Sequence, residues 1–232
     1  MIDFVHTSAV WGTALTLAAF ALGTILHRKT KSAWCNPLLW GSIFVMIVLS
    51  ASKIPYAEYK SSAAPMTYLL FPATVSLSIP LYEQWTLLKE NALAILCGIA
   101  AGVFTSIGSI LLLAWLFRLD TACAISLLPK SVTTAIGVDV SSELGGIPAL
   151  TTSVIILTGI VGNLLAVKLC KLLGITNPIA KGIAIGTSSH AIGTSKALEM
   201  GHVEGAMSSL SIAVAGILTA VLCPFAVNLL PM

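Results

Sequence analysis

Charged residues are scarce in this chain of 232 residues: 9% are Asp, Glu, Lys or Arg, whereas 57% are apolar. A soluble domain carries roughly 25% charged residues. A globule with so few would expose apolar patches larger than soluble monomers tolerate. The composition therefore excludes a soluble globular protein, and its surface is predicted to face lipid. The formal net charge of +3 is too small to indicate nucleic-acid binding.

Metal-binding and catalytic motifs are also missing. The five cysteines are scattered, with no Cys-x-x-Cys pair and no His/Cys ligand spacing. This pattern excludes a disulfide framework and a zinc site, so neither a metal nor a cofactor is predicted. The chain has no Gly-x-Ser-x-Gly elbow, no His-Glu-x-x-His motif, no paired aspartates and no Ser/Lys dyad with clear spacing. We therefore expect no enzymatic activity.

Long apolar runs fill most of the chain, and a membrane span needs about 20 mostly apolar residues. Two of the runs, 121–140 and 178–198, are rich in Gly, Ser and Thr and contain ionisable groups. We expect these two to be discontinuous or re-entrant. The sequence predicts an all-α polytopic membrane protein, a single transmembrane domain over 1–232 with about six to eight transmembrane segments. The candidate spans lie near residues 9–26, 37–52, 66–82, 92–117, 121–140, 147–167, 178–198 and 206–230.

Basic residues predict the orientation. The strongest cluster, His27 to Lys31, directly follows the first apolar run. The positive-inside rule places this loop in the cytoplasm and the N-terminus outside. Lys168, Lys171 and Lys181 flank another loop that we also expect inside. The first apolar run has no basic region before it, so we expect a retained helix there and not a signal peptide.

Two polar segments resemble each other at an offset of 56 residues, with an apolar helix after each. The first runs from Leu128 to Gly137 and continues to Gly146, and the second runs from Gly186 to Ser195 and continues to Gly201. The resemblance indicates an internal duplication, with repeat-like units at about 121–175 and 177–231. A fainter echo lies at 72–76. The matched positions are Ser131 with Thr187, Thr134 with His190, Ala135–Gly137 with Ala191–Gly193, Glu143 with Glu199 and Gly145 with Gly201.

Small polar residues at membrane depth indicate helices that break around a cavity. In hydrocarbon, irregular backbone is tolerated only where protein or water satisfies its N–H and C=O groups. The freed N-termini of half-helices offer unpaired N–H donors to a small anion such as a carboxylate. Two such segments facing each other form the usual substrate site of secondary transporters.

Several residues in these segments are candidates for the site. Lys130 would attract a substrate anion, or else its side chain extends to the membrane interface. His190 would relay a proton or bind substrate oxygens, or else it is a satisfied core residue. The hydroxyl side chains would contact substrate or join helices. Glu143 and Glu199 would couple protons, or else pair with Lys196 or cap a helix.

The motifs LPKSVTTAIG at 128–137, GTSSHAIGTSKALEMG at 186–201 and FPATVSLSIPLYEQW at 71–85 resemble the LrgB/CidB family. This resemblance covers the chain from about Asn36 onwards. It implies a bacterial plasma-membrane protein that works beside a smaller LrgA/CidA-type membrane partner. The family is described as antiholin-like or holin-like, modulating murein hydrolase activity and cell lysis. A similar domain in the chloroplast glycolate/glycerate transporter, and relatives tied to pyruvate uptake, implies small carboxylates instead.

The family motifs depart here at Ala135, where many relatives have Pro, and at Lys196, where Arg is common. Lys196 keeps the charge but weakens bidentate carboxylate binding. The candidate substrate-binding residues, by motif and by the repeat, are Pro72, Thr74, Pro129, Lys130, Ser131, Thr133, Thr134, Gly137, Thr187, Ser189, His190, Gly193 and Thr194. The candidates for proton coupling are His190, Glu143 and Glu199.

The leading hypothesis is a transporter of small monocarboxylates or hydroxy-acids of the pyruvate, glycolate or glycerate type, proton-coupled and working by alternating access. The alternative is an antiholin-like or holin-like regulator of murein hydrolase activity and lysis that acts with an LrgA/CidA-type partner. The expected partners are a small carboxylate, the lipid bilayer, that membrane protein and further copies of the chain, most simply as a dimer.

Overall fold

The structure, a computed structural model, describes residues 10–30 and 35–230, except for the side chains of residues 70, 71 and 74. Within these ranges the chain is helical and contains no β-strand. The predicted all-α class is therefore confirmed. Backbone contacts divide the chain into two compact units, and the first ends at Ser76 and the second begins at Leu77.

The helices of the first unit are α1 (Trp11–Thr30), α2 (Pro37–Ser52), α3 (Tyr56–Ser62) and α4 (Ala64–Ser76). The side chain of Asn36 caps α2 by accepting a hydrogen bond of 2.8 Å from the Leu38 N–H. A Cβ atom on Gly23 of α1 would lie 2.7 Å from the carbonyl oxygen of Pro37, so the absence of a side chain there allows α1 and α2 to pack closely. The hydroxyls of Thr16 and Tyr59 lie 2.7 Å apart and join α1 to α3.

The second unit contains the longer helices. They and the shorter ones are α5 (Ser78–Glu83), α6 (Trp85–Glu90), α7 (Ala92–Phe117), α8 (Thr121–Leu127), α9 (Thr134–Glu143), α10 (Pro148–Leu172), α11 (Pro178–Met200) and α12 (His202–Val227). Helix α11 lies at the centre of the unit and packs against α7, α10 and α12. The core holds mainly Ile, Val, Ala and Met side chains from α7, α11 and α12.

Three of the described helices, α7, α10 and α12, are long and apolar enough to cross a membrane. At about 1.5 Å per residue they are roughly 37–39 Å long, against a hydrocarbon core of about 30 Å. The shorter apolar helix α2 has 16 residues. The predicted stretch 66–82 is divided, because α4 ends at Ser76 and α5 begins at Ser78. A count of six to eight segments goes beyond these three helices and stays a prediction. The predicted location of the N-terminus falls on residues 1–9, outside the described residues.

Helix α7 presents two kinds of apolar surface. Ile95, Ile99, Val103 and Ile107 recur every fourth residue on one face and are buried in the core. Large side chains on another part of its circumference are exposed, as expected of a face in contact with lipid. They are Leu93, Leu96, Phe104, Leu112, Trp115, Leu116 and Phe117.

The chain leaves helical geometry in both of the polar segments. Helix α8 ends at Leu127, and α9 starts after Thr133, which has extended backbone angles (φ −64°, ψ 149°). Helix α11 is kinked at His190, whose backbone angles are φ 41° and ψ −141°. At the offset of 56 residues, Thr134, the first residue of α9, matches His190. The break before α9 therefore ends one residue before the position of the kink in the proposed repeat, and a long apolar helix, α10 or α12, follows each segment.

Glycines let α11 pack tightly on its neighbours. A Cβ atom on Gly186 would lie 2.8 Å from the Cα of Ser208 on α12. On the other side, a Cβ on Gly159 of α10 would lie 2.8 Å from Cε1 of His190. Real Cβ atoms do not approach other atoms so closely. These contacts therefore depend on the absence of a side chain at Gly159 and Gly186.

Candidate functional site

A cavity of about 730 Å³ lies in the second unit between α7, the turn after α8 and the first half of α11. Its wall consists mostly of small, hydroxyl-bearing or amide side chains together with a few aliphatic ones. Among the described residues, Lys130 is the only ionisable one in this wall. The cavity is therefore a mostly apolar space with several hydroxyl and amide groups and a single cationic group.

Lys130 points its ammonium group at two hydroxyls. Its Nζ donates hydrogen bonds to Ser131 Oγ at 3.1 Å and to Ser106 Oγ at 3.3 Å. These two hydroxyl oxygens lie 3.0 Å apart. Ser106 belongs to α7 and Ser131 to the turn after α8, so the cluster joins two walls of the cavity. We refer to Lys130, Ser106 and Ser131 as the ammonium cluster.

The ammonium cluster contains no acid. Among the described residues, no carboxylate lies within 4.0 Å of Lys130 Nζ, whereas Lys196 and Lys181 have Glu199 and Glu204 at 2.7 Å and 4.0 Å. A partly buried cation without a counter-ion is costly in a region of low dielectric. Lys130 is therefore equipped to attract an anion into the cavity.

Thr187 lines the same cavity from α11. Its side chain packs against Gly102 of α7, where a Cβ atom would lie 2.5 Å from Thr187 Cγ2. Only 5% of Thr187 is exposed, and within the described parts of the chain its hydroxyl has no hydrogen-bond partner. Buried hydroxyls in proteins are almost always paired. This one belongs to a residue of the cavity wall and lacks a partner among the described protein groups.

The predicted repeat has a counterpart in these contacts. Ser131 and Thr187, which match at the offset of 56, both line the cavity. A Cβ atom on Gly137 would lie 3.2 Å from the carbonyl oxygen of Pro129, and one on Gly193 would lie 3.3 Å from that of Ile185. Pro129 and Ile185 are also 56 residues apart. In each segment, the glycine therefore packs against the carbonyl oxygen of the residue eight positions earlier, and both members of the two pairs match at the offset of 56 residues.

His190 lies away from the cavity wall, buried between α11 and α10. Its Nε2 is 3.0 Å from the carbonyl oxygen of Ile155. Thr194 Oγ1 donates to the His190 carbonyl at 2.9 Å and lies 2.7 Å from Ser208 Oγ. In this arrangement the polar atoms of His190 and Thr194 bond to protein groups and stabilise the kink. Asn163 of α10 supports the same region by donating to the Ile192 carbonyl at 2.8 Å.

Of the predicted substrate-binding residues, the structure brings Lys130, Ser131 and Thr187 together at the cavity. The cavity wall includes neither Thr134 nor His190. Helix α9 begins at Thr134 and α11 is kinked at His190, so the backbone amides expected at these two breaks do not line the cavity. The others lie elsewhere in the second unit: buried Pro129, Gly137, Ser189, Gly193 and Thr194, and half-buried Thr133 and Thr134.

Pro72 and Thr74 belong to α4 of the first unit, where Pro72 is exposed and the side chain of Thr74 lies outside the described residues. The two glutamates proposed for proton coupling are both exposed. Glu199 accepts a hydrogen bond of 2.7 Å from Lys196, three residues earlier on α11. Glu143 is the last residue of α9.

Sequence reasoning missed Ser106 and the rest of the α7 wall. Gly98, Gly102, Thr105, Ser106 and Ser109 all face the cavity. Their spacing of three or four residues places them on one face of the helix. This stripe of small and polar residues was the available signal that α7 lines a cavity. The long uncharged run around it instead favoured a plain membrane span.

Known proteins resemble this chain over nearly its whole length. The family model described as the LrgB-like family matches residues 16–229. The antiholin-like protein LrgB of Bacillus subtilis (strain 168) is 36% identical over 224 residues, covering 96% of this chain and 97% of that protein. Proteins of the same name from Bacillus mycoides (strain KBAB4) and Bacillus cereus (strain B4264) are each 34% identical over 215 residues, covering 92% of this chain and 94% of theirs. No solved structure matches the chain.

Proposed function

Because the chain belongs to the LrgB-like family, we propose that this multi-pass membrane protein is an antiholin-like protein of the bacterial plasma membrane. The observation that carries the proposal is its similarity, over 92–96% of its length, to three relatives with that name. The comparisons thus favour the regulatory alternative over the transport hypothesis. In this role the chain restrains murein hydrolase activity and cell lysis, together with an LrgA/CidA-type membrane partner and further copies of itself.

The topology proposed for this role adds the two broken segments to the three long helices. α8 with α9, and the two halves of α11, then enter the bilayer as re-entrant or discontinuous segments, which gives six to eight segments with the first unit. The loop between α10 and α11, with Lys168, Lys171 and Lys181 around it, faces the cytoplasm, and the N-terminus faces outward.

A lysis assay tests the antiholin-like role. A bacterial strain lacking its own LrgB-like protein is given either this chain or an empty vector, and turbidity is followed after a cell-wall inhibitor. Restraint of murein hydrolases predicts slower lysis in cells with the chain. Identical lysis curves, with the protein detected in the membrane fraction, would rule the role out. Lys130→Met shows whether this restraint depends on the ammonium cluster.

The cavity favours a second candidate function, the transport of a small monocarboxylate. The supporting observation is the ammonium of Lys130, which has two hydroxyls beside it and no described carboxylate within 4.0 Å. The described residues give the wall one cation and no acid, so a ligand of charge −1 balances the cavity, whereas a dicarboxylate leaves one charge unpaired. Pyruvate, glycolate and glycerate meet this requirement. Proton coupling and alternating access belong to this second proposal.

Purified protein in liposomes tests the second function. With an imposed proton gradient, vesicles with the wild type are expected to accumulate labelled glycolate or pyruvate, and vesicles with Lys130→Met are not. Lys196→Met, which removes a half-buried lysine paired with Glu199, is the matched control and retains uptake. Correctly folded wild type that moves none of these acids would exclude transport and leave the antiholin-like role standing.

A further inference from the structure

The free hydroxyl of Thr187 and the ammonium cluster lie on neighbouring turns of the same cavity wall. Thr187 packs against Gly102, and Lys130 bonds to Ser106, four residues further along α7. Four residues of an α-helix advance by about 6 Å. A small molecule in the cavity can therefore reach the ammonium and the Thr187 hydroxyl at the same time.

Thr187 differs from the other hydroxyl residues of the cavity wall. Thr105 donates to the Ala101 carbonyl, Ser109 to the Ser106 carbonyl and Ser188 to the Ala184 carbonyl, each at 2.7 Å. These hydroxyls are satisfied within their own helices, as is usual in membrane helices. The Thr187 hydroxyl makes no such bond although it is buried. The lack of a hydrogen-bond partner is therefore specific to Thr187 in this wall and is not a general property of threonines in helices.

We propose that Ser106 and Thr187 recognise different parts of one ligand, a monocarboxylate that has a second oxygen on carbon 2. Ser106, with Lys130 and Ser131, binds the carboxylate, and the Thr187 hydroxyl hydrogen-bonds the 2-hydroxy or 2-oxo group. Oxygens on neighbouring carbons, each at a hydrogen-bond distance of about 2.8 Å, bridge groups about 6 Å apart. This division rests on the second proposed function. It makes Thr187 the residue that distinguishes glycolate from acetate.

Binding of glycolate and acetate to the purified full chain, measured by calorimetry, tests the division. The two acids have the same number of carbons and differ by one oxygen. Wild type is expected to bind glycolate about ten-fold more tightly, because acetate leaves the buried hydroxyl unpaired. In Thr187→Val the preference falls to about one while acetate affinity changes less than about two-fold. Thr152→Val is the control, because its hydroxyl bonds to the Pro148 carbonyl on α10, away from the cavity.

Two further variants separate the roles. Ser106→Ala is expected to weaken both acids by a similar factor of about ten, since it removes a carboxylate contact and leaves the preference unchanged. Thr187→Ser keeps the hydroxyl and is expected to keep the preference. Thr187→Ala also removes the hydroxyl, and it replaces the valine variant if that protein does not fold. Equal binding of both acids by wild type, or a preference that survives in Thr187→Val, overturns the role of Thr187. Equal affinities in Ser106→Ala and wild type overturn the role of Ser106. A folded wild type that binds neither acid overturns the second proposed function itself.

Discussion

At the scale of single residues, the chemistry of the second unit is concentrated in one lysine and the hydroxyls around it. Lys130 has no described acidic partner, whereas Lys181 and Lys196 do. Removing its charge deletes the only ionisable group that the described residues place in the cavity wall. The hydroxyls of Ser106 and Ser131 bond to each other, so the site keeps these polar groups but has no net attraction for anions.

We therefore expect Lys130→Met to reduce strongly the stabilisation by glycolate. A ligand at 100 times its dissociation constant stabilises the folded state by about 2.7 kcal/mol. A hydrogen bond to a charged group contributes about 1.5–3 kcal/mol, so the variant should lose roughly ten- to hundred-fold in affinity. The measurement is the melting temperature in detergent at rising glycolate concentration, with Lys196→Met as the control. An undiminished shift in Lys130→Met contradicts the assignment.

The sequence revealed part of this site because Lys130, Ser131 and Thr187 interrupt segments that are otherwise apolar. Ser106 could not be identified in the same way, since isolated serines in membrane helices usually bond to their own backbone, as Ser109 does. What brings Ser106 to the cavity is the rotation of α7, which depends on the contacts of Gly98 and Gly102 with Ile183 and Thr187. Such a rotation is a property of packing between distant segments and has no local signal.

At the scale of elements, the kink of α11 was predicted from the small polar residues of 178–198, but its direction was not. His190 has a φ of 41°, which is unfavourable for a residue with a Cβ atom. Contacts with Ile155 and Thr194 hold it in place. The sequence predicted that the half-helix amides would meet a ligand, whereas the kink packs against α10. Amide orientation after a break depends on tertiary packing, which composition does not encode.

The kink reverses the usual stability order of glycine and alanine in a helix, and measurements of the unfolding free energy can detect this reversal. In a regular helix, glycine is about 1 kcal/mol less stable than alanine. At the positive φ of residue 190, glycine should be the more stable of the two by about 1 kcal/mol. His190→Gly and His190→Ala lose the same contacts with Ile155, so the difference between their unfolding free energies isolates the backbone term. A more stable alanine variant would mean that α11 continues regularly through this position.

Close packing between α11 and α12 gives a second test at this scale. A Cβ atom on Gly186 meets the backbone of Ser208, whereas one on Gly108 of α7 meets nothing within 4 Å. Gly186→Ala should destabilise the protein by about 1–3 kcal/mol through overpacking. Gly108→Ala, the matched control, should be neutral or stabilising because alanine favours helix. Thermal unfolding in detergent measures both, and equal effects would contradict the packing of these helices.

At the scale of the whole molecule, the sequence predicted the helical membrane class because a chain with 9% charged residues can place few of them against water. It did not settle the number of crossings. Short helices such as α5, α6 and α8 have only six or seven residues and do not cross the bilayer alone. Their depth depends on neighbouring helices, which hydropathy does not describe.

Orientation can be checked across α10, because this helix is long enough to cross the membrane once. In a variant without the five natural cysteines, Cys is introduced at Leu173 or at Glu143. The basic residues at the end of α10 and the start of α11 predict that the Leu173→Cys protein reacts with an impermeant maleimide from the cytoplasmic side only, and Glu143→Cys from the outer side only. Inside-out vesicles expose the cytoplasmic side of the protein to the maleimide, and right-side-out vesicles expose the outer side. Reaction of both from one side would contradict a crossing by α10.

The solitary ammonium of Lys130 also has an electrical consequence. Protonated Lys130 gives the vacant cavity a charge of +1, and the entry of a monoanion brings this charge to zero. A membrane voltage acts on a moving charge with about 2.3 kcal/mol per elementary charge for each 100 mV. Under the proposed proton-coupled transport, a proton that enters with the monoanion restores the charge to +1, so the loaded and the vacant steps carry equal charge in opposite directions and the full cycle is electrically neutral.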